Sequence, residues 1–256
     1  MSISKYFMLT LNTFSVIKQL ARMEKVRKNI DKLRKTADPA EVRSYIGKHN
    51  SRLMKQVAED FKLNIKVIGR NKIPENEGCV FISNHQGYLD VVAILYALGN
   101  KQSGFLGKSE LRKVPFVGKW IESVGGYFVE RGNARSSLKV FKESWKHLKD
   151  GDSMVVFPEG TRSRGPRLNK YKAGAFKLAT GGNTGAPLVP IVVDGAYHWF
   201  EEQGYLRTGD DVVVTVQFLD PIYVDNLSRE EVKQLPNTIQ EMTQTALTRI
   251  QNAQDD

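Results

Sequence analysis

A chain of 256 residues with 41% hydrophobic content and mixed charge can bury one sizeable core, which excludes a disordered or low-complexity protein. The single cysteine, Cys79, excludes a disulfide framework and a cysteine-based zinc site, and it suits a reducing compartment. The formal net charge of +10 suits an anionic partner; residues 1–60 carry +7 of it, so the excess belongs to the N-terminal segment.

That segment reads as a helical hairpin. Asp38-Pro39 supplies an N-cap followed by proline at the first helical position, which predicts one helix ending near Thr36 and a second starting at Pro39. Val16, Leu20, Met23, Ile30 and Leu33 in the first helix, and Val42, Ile46, His49, Leu53 and Val57 in the second, follow 3-4 spacing and form two seams that can pack together. At about 100° per residue, Ile3, Phe7, Leu11, Phe14 and Ile17 make a separate stripe pointing away from the seam. Lys18, Arg22, Lys25, Lys28 and Lys32 continue in the same direction, so this face runs from apolar to basic. An anionic bilayer surface would satisfy both halves; the other reading docks the helix on its own domain with a solvated basic face. Nucleic acid is not expected, because the basic face lacks an aromatic stacking platform. Tyr6 to Ile17, twelve residues, is the longest uncharged piece, against about 20 needed to span a bilayer. It ends in Ile17-Lys18 without a small-residue cleavage site, which speaks against a signal peptide. The expectation is therefore a peripheral or monotopic protein at the cytoplasmic face of a membrane, with no transmembrane helix.

Beyond the hairpin, short β-like runs alternate with helical ones. Strands are predicted at Leu63–Gly69, Cys79–Ser83, Gly104–Leu106, Gly126–Val129, Ser153–Phe157, Leu188–Val193 and Val212–Phe218. Helices are predicted at Leu89–Leu98, Glu110–Ser123, Asn133–Lys149, Lys172–Thr180 and, after a Ser228/Glu231 capping box, toward the C-terminus. The runs at 79, 153 and 188 are nearly all apolar, as strands covered on both faces are. The expected fold is α/β: a mixed, part-parallel sheet of about seven strands flanked by helices. Residues 1–61 are read as the membrane-attachment hairpin and 62–256 as the α/β domain.

The stretch "FISNHQGYLD" places His85 and Asp90 five positions apart, directly after a predicted strand. Were 85–90 all helical, the offset would turn about 500° and leave the two roughly 140° apart. A bend at Gly87 would instead put His85 in the loop at the strand's end and Asp90 in the first helical turn, where its carboxylate reaches a ring nitrogen. A carboxylate on one nitrogen fixes the tautomer and raises the basicity of the other, giving a general base for an alcohol. The carboxyl end of a strand in an open α/β sheet is also where ligands bind. Further on, "FPEGTRSRG" places Glu159, Gly160, Thr161 and Arg162 in a loop where amides, a hydroxyl and a guanidinium could surround an anion. "GGYFVERG" offers Arg131 at another strand end and "LGKSELRKVPFVG" offers Lys108 before a helix. Each of these cations taken alone could equally be a solvated surface charge.

In combination these blocks resemble the glycerophospholipid acyltransferase family, in particular its 1-acylglycerol-3-phosphate acyltransferases. Asn84 to Asp90 is similar to the first family block, Lys108 to Gly118 with Gly126 to Arg131 to the second, Phe157 to Arg162 to the third, and Val189-Pro190-Ile191 through Gly195 to the fourth, in family order. The resemblance implies that His85, oriented by Asp90, deprotonates the free hydroxyl of lysophosphatidic acid. The hydroxyl oxygen then attacks an acyl thioester, of acyl carrier protein or coenzyme A, to give phosphatidic acid. It implies that Arg131 and Arg162, with Lys108, hold the substrate phosphate, while Glu159, Gly160 and Thr161 shape that site or contact the glycerol. Glu159 could instead organise the arginines through ion pairs. No cofactor or metal is implied beyond the thioester co-substrate, and His49, His85, His147 and His198 show no ligand spacing.

Other classes meet specific obstacles. Gly160-Thr161-Arg162-Ser163-Arg164-Gly165 has one residue too many before its serine for a nucleophile elbow, and Gln102 stands where a P-loop needs its first glycine. Acylation of glycerol-3-phosphate or another lysophospholipid uses similar blocks and stays open. A non-catalytic peripheral membrane protein would keep the hairpin but have no need of the His85/Asp90 pair.

Overall fold

Residues 3–130, 134–199 and 212–255 are described in a computed structural model, with 3–15, 134–135 and 254–255 described in backbone alone. The seven strands are β1 (Asn64–Ile68), β2 (Val80–Ser83), β3 (Gly104–Lys108), β4 (Tyr127–Val129), β5 (Met154–Val156), β6 (Leu188–Asp194) and β7 (Val213–Phe218). They form one sheet in the order β1-β7-β6-β2-β5-β3-β4. All neighbours run parallel except β6 and β7, where Ile191 faces Phe218 and Asp194 faces Thr215. The sheet is thus mixed and part-parallel, as the sequence pattern predicts. β2, β5 and β6 are buried along their whole length because helices cover both faces.

The pleat divides the core in two. Phe81, Val155, Val189 and Ile191 point to the side occupied by the helices α1 (Ile3–Leu33), α2 (Pro39–Asp60), α3 (Asp90–Leu98) and α4 (Val117–Ser123). Val80, Ile82, Met154 and Leu188 point to α5 (Ala134–Lys149), α6 (Ala173–Thr180) and α7 (Arg229–Asp255). α7 begins on the expected capping box: the Glu231 amide donates to Ser228 Oγ at 3.3 Å and the Ser228 amide to Glu231 Oε2 at 2.8 Å.

The hairpin forms where Asp38-Pro39 predicts it, with the Ala40 amide donating to Asp38 Oδ1 at 2.7 Å. Ile30, Val42, Ile46, Leu53 and Val57 are buried in the same core as Phe81 and Val189, so the hairpin packs into the α/β core. Val16 departs from the expected seam and is 44% exposed. The cause is length: α1 has 31 residues against 22 in α2, and the last helical residue of α2, Asp60, lies level with Lys18, Gln19 and Arg22. Earlier residues of α1 have no α2 opposite them.

The helix predicted over Glu110–Ser123 is two pieces, a 3-10 turn at Ser109–Lys113 and α4 from Val117. Pro115 accounts for the break: it has no N–H to donate and disfavours helical geometry at Val114.

Gly47 shows how tightly the hairpin is seated. A β-carbon at this position in α2 would lie 1.8 Å from the Asn100 carbonyl oxygen, in the loop after α3. Backbone on both sides must move to admit it. Gly47→Ala is therefore expected to lose about 1–3 kcal/mol of stability despite alanine's better helix propensity, measurable as a lowered midpoint in urea.

Candidate active site

Because β2, β3, β4, β5 and β6 run in one direction, the loops that follow them gather along one edge of the sheet. The loop after β2 is clamped there by Asn84, whose amide both donates to the Val193 carbonyl and accepts from the Val193 N–H, each at 2.8 Å. Gln86 donates to Asp194 at 3.2 Å, and so does Gln251 of α7 at 3.1 Å. The backbone on either side of His85 is thereby fixed to the end of β6.

His85 Nδ1 lies 2.6 Å from Asp90 Oδ2, which also accepts the Gly87 amide at 2.9 Å. The expected bend is present, with Asp90 as the first residue of α3. Gly87 does not use a positive φ, however; the turn is closed by Asp90's own carboxylate reaching back to the Gly87 amide. The Asp90 side chain is fully buried and that of His85 is 19% exposed, so one end of the ring is anchored and the other opens outward. Burial pushes the Asp90 carboxyl up, while the His85 imidazole and the Gly87 and Gln86 amides pull it down. With the carboxylate on Nδ1, Nε2 is the nitrogen available for proton transfer. Phe157, the first residue after β5, stacks under the imidazole at 4.0 Å between centroids and 18° between planes.

The loop after β5 wraps the same backbone. Glu159 is 1% exposed and accepts the His85 amide at 2.7 Å on one oxygen and the Asn169 amide at 3.0 Å on the other. Both carboxylate oxygens are thus taken by main chain. Burial raises the Glu159 carboxyl, against the pull of the two amides. The Ser163 amide donates to the His85 carbonyl at 2.7 Å and the Arg164 amide to the Gln86 carbonyl at 3.1 Å. Gly160 holds φ +69, and a β-carbon there would come within 2.9 Å of Lys172 Nζ.

These loops lie inside the segment matched by a sequence profile. The profile of the Acyltransferase family covers residues 64–194, just over half of the chain. The chain belongs to this family. It is 35% identical over 158 residues to a chloroplastic 1-acyl-sn-glycerol-3-phosphate acyltransferase of Brassica napus, a match covering 60% of this chain and 44% of that protein. It is 29% identical over 170 residues to the 1-acyl-sn-glycerol-3-phosphate acyltransferase of Haemophilus influenzae, covering 64% and 68% respectively. Against the Brassica protein, then, the match spans less than half of the relative's length. The crystal structure of the 1-acyl-sn-glycerophosphate acyltransferase PlsC of Thermotoga maritima shares the fold, with a TM-score of 0.71 at 24% identity over 93% of this chain and 98% of that one.

In this member of the Acyltransferase family the cations anticipated from sequence separate into groups. Arg162 joins the site: its guanidinium carbon lies 3.4 Å from the centre of the Tyr88 ring, which follows His85 by three residues. Thr161 is exposed beside it, and Lys108 is exposed at the end of β3. Arg131 lies outside the described residues. Two further members had only weak signals in the sequence, Tyr88, lying between His85 and Asp90, and Lys172, one of several surface-like lysines. Along α1, Lys18 and Arg22 each approach Asp60 at 3.0 Å, which turns them toward the hairpin. Lys25, Lys28 and Lys32 are exposed, and the side chains of Ile3, Phe7, Leu11 and Phe14 lie outside the described residues. Among the described residues no cluster of three or more His, Cys, Asp or Glu could hold a metal ion, and no helix is long and apolar enough to cross a membrane.

Glu159→Gln tests the brace. An amide can accept one of the two N–H groups but turns a donor toward the other, so the variant is expected to lose about 1–3 kcal/mol of stability. It should lower kcat by shifting His85 while leaving the acceptor KM close to wild type; a rise confined to KM would place Glu159 against substrate instead.

Proposed function

We propose that this acyltransferase moves an acyl group from a thioester to the free hydroxyl of 1-acylglycerol-3-phosphate, giving phosphatidic acid. The observation that carries the reading is the 2.6 Å bond from His85 to buried Asp90, at the edge of the sheet where the loop bearing Glu159 to Arg162 also lies. His85 Nε2 takes the proton of the acceptor hydroxyl as its oxygen attacks the thioester carbonyl. The tetrahedral intermediate collapses with cleavage of the C–S bond, and the imidazolium returns the proton to the departing thiolate. No covalent acyl-enzyme is needed. Arg162, Lys108 and Arg131 hold the acceptor phosphate, with Thr161 and the Gly160 backbone alongside. The donor is an acyl thioester of acyl carrier protein or coenzyme A, and no other cofactor takes part. The names of the Brassica and Haemophilus relatives support this choice of acceptor.

An acceptor with a long acyl tail resides in a bilayer, so the site works at a membrane surface, on the cytoplasmic face, with the chain attached peripherally. The N-terminal hairpin supplies the attachment, since α1 runs on past the end of α2 and carries exposed Ile17, Lys25, Lys28 and Lys32.

His85→Ala is expected to abolish transfer while leaving the circular dichroism spectrum and acceptor binding unchanged, because a base acts in the chemical step. Retained turnover in that variant would end the mechanism. Arg162→Ala should raise the acceptor KM by an amount equivalent to about 1.5–3 kcal/mol, the contribution of a charge-assisted hydrogen bond, with donor kinetics little changed. A donor-specific effect would move Arg162 to the thioester side. Deleting residues 1–17 should release the protein from vesicles while a short-chain, water-soluble acceptor is still acylated.

A further inference from the structure

Phe116, between the 3-10 turn and α4, adopts φ +65 and ψ −44 although it is not glycine. The Val117 amide donates to the Pro115 carbonyl at 2.7 Å, closing a three-residue γ-turn of the positive-φ form, which is rare and strained for a bulky residue. Its ring gains little from the protein core in return, being 49% exposed, with Val114 beside it 42% exposed. Strain that the core does not repay is found where a side chain is held out for a purpose.

The ring faces a groove of about 590 Å³ between α4 and α1, whose opposite wall carries Ile17 and Leu20 and continues into Lys25 and Lys28. Ile17 is 59% exposed, so an apolar lip stands on both walls. Among the described residues the one carboxylate lining the groove is Glu24, which Arg27 engages through two 2.7 Å contacts, while exposed Lys28 approaches it only at 3.9 Å and Lys119 of α4 also acts on it electrostatically. What remains along this surface is apolar at one end and cationic at the other. A surface with acyl chains under phosphates has the complementary layering.

We propose that Phe116 is a second membrane anchor, entering the acyl boundary of an anionic bilayer beside Ile17 while Lys25, Lys28 and Lys119 meet headgroup phosphates. This rests on the peripheral-membrane reading above and extends it. One helix tip fixes attachment but leaves the protein free to rock. A second contact eight residues after Lys108, on the turn that leaves the active-site edge of β3, fixes which edge of the sheet faces the lipid.

The test uses the full chain and vesicles of equal parts phosphatidylcholine and phosphatidylglycerol, comparing wild type with Phe116→Gly, Phe116→Leu and Phe116→Trp. Glycine removes the ring and also tolerates the positive φ, so Phe116→Gly should keep its melting temperature while its vesicle partitioning falls roughly tenfold or more, the effect of withdrawing an aromatic side chain from an apolar phase. Phe116→Leu should restore most of the partitioning. The added tryptophan of Phe116→Trp should be quenched by brominated acyl chains. Acylation of a short-chain soluble acceptor should be unchanged in all three. If wild type itself fails to sediment with vesicles, the membrane reading falls and this inference with it. If wild type binds and Phe116→Gly binds equally, the hairpin reading survives and the second anchor is wrong. A lowered melting temperature for Phe116→Gly would assign the ring a packing role, and lipid-independent dimerisation lost in the same variant would assign the groove to a second copy of the chain; either result overturns the proposal.

Discussion

Everything at the active-site edge depends on one carboxylate, because Asp90 accepts both the imidazole N–H of His85 and the backbone N–H of Gly87 and so closes the turn that brings the two residues together. A continuous helix through this segment would hold them on different faces. The same oxygen therefore makes the geometry and exploits it. A fully buried carboxylate is costly to leave unpaired, and the partners that offset the cost here are a ring that can carry charge and amides of the turn itself.

Around that bond the chain repeats one device, in which side chains of the loops bind backbone. Asn84 clamps Val193, Glu159 joins the His85 amide to that of Asn169, and the Ser163 and Arg164 amides close on the His85 and Gln86 carbonyls. The result is an imidazole whose ring is held by Asp90 and stacked on Phe157, on a backbone fixed by Glu159 and Ser163. Such fixation favours chemistry, since a base already in place loses little freedom as the reaction proceeds. A cavity of about 770 Å³ at the opposite edge of the sheet, lined by Arg43, Arg70 and Lys101, includes none of these residues. These three cations are occupied: Lys101 Nζ reaches the carbonyls of Pro74 and Glu75, Arg70 reaches that of Ala97, and Arg43 approaches Asp152.

Local chemistry was legible in the sequence and long-range pairing was not. All seven strands could be placed, most plainly β2, β5 and β6, which read as nearly unbroken apolar runs because helices cover both their faces, and Asp38-Pro39 and Ser228/Glu231 marked helix starts because caps need particular side chains at particular offsets. Pro115 was visible too, yet its consequence, a helix split with Phe116 in a γ-turn, depends on how the two pieces pack. The Asn84 to Asp90 spacing demanded a bend but did not reveal that Asp90 itself closes it. Glu159 among arginines suggested ion pairs or substrate contact; only the fold shows two amides, 74 and 10 residues away, on its oxygens. Lys18 and Arg22 lay on the expected basic face, and Asp60, 38 residues beyond Arg22, draws both inward.

The central claim is that Asp90 holds the neutral His85 ring in one tautomer, with Nδ1 protonated and Nε2 bare. Nitrogen-15 NMR of the histidine side chains in the full-length protein reads this directly. The account predicts a protonated Nδ1 with a downfield-shifted proton and an unprotonated Nε2, assigned to His85 by its absence from the His85→Ala spectrum and lost in Asp90→Asn. A His85 ring protonated on Nε2 alone, or rotating freely between tautomers in the wild type, would contradict it.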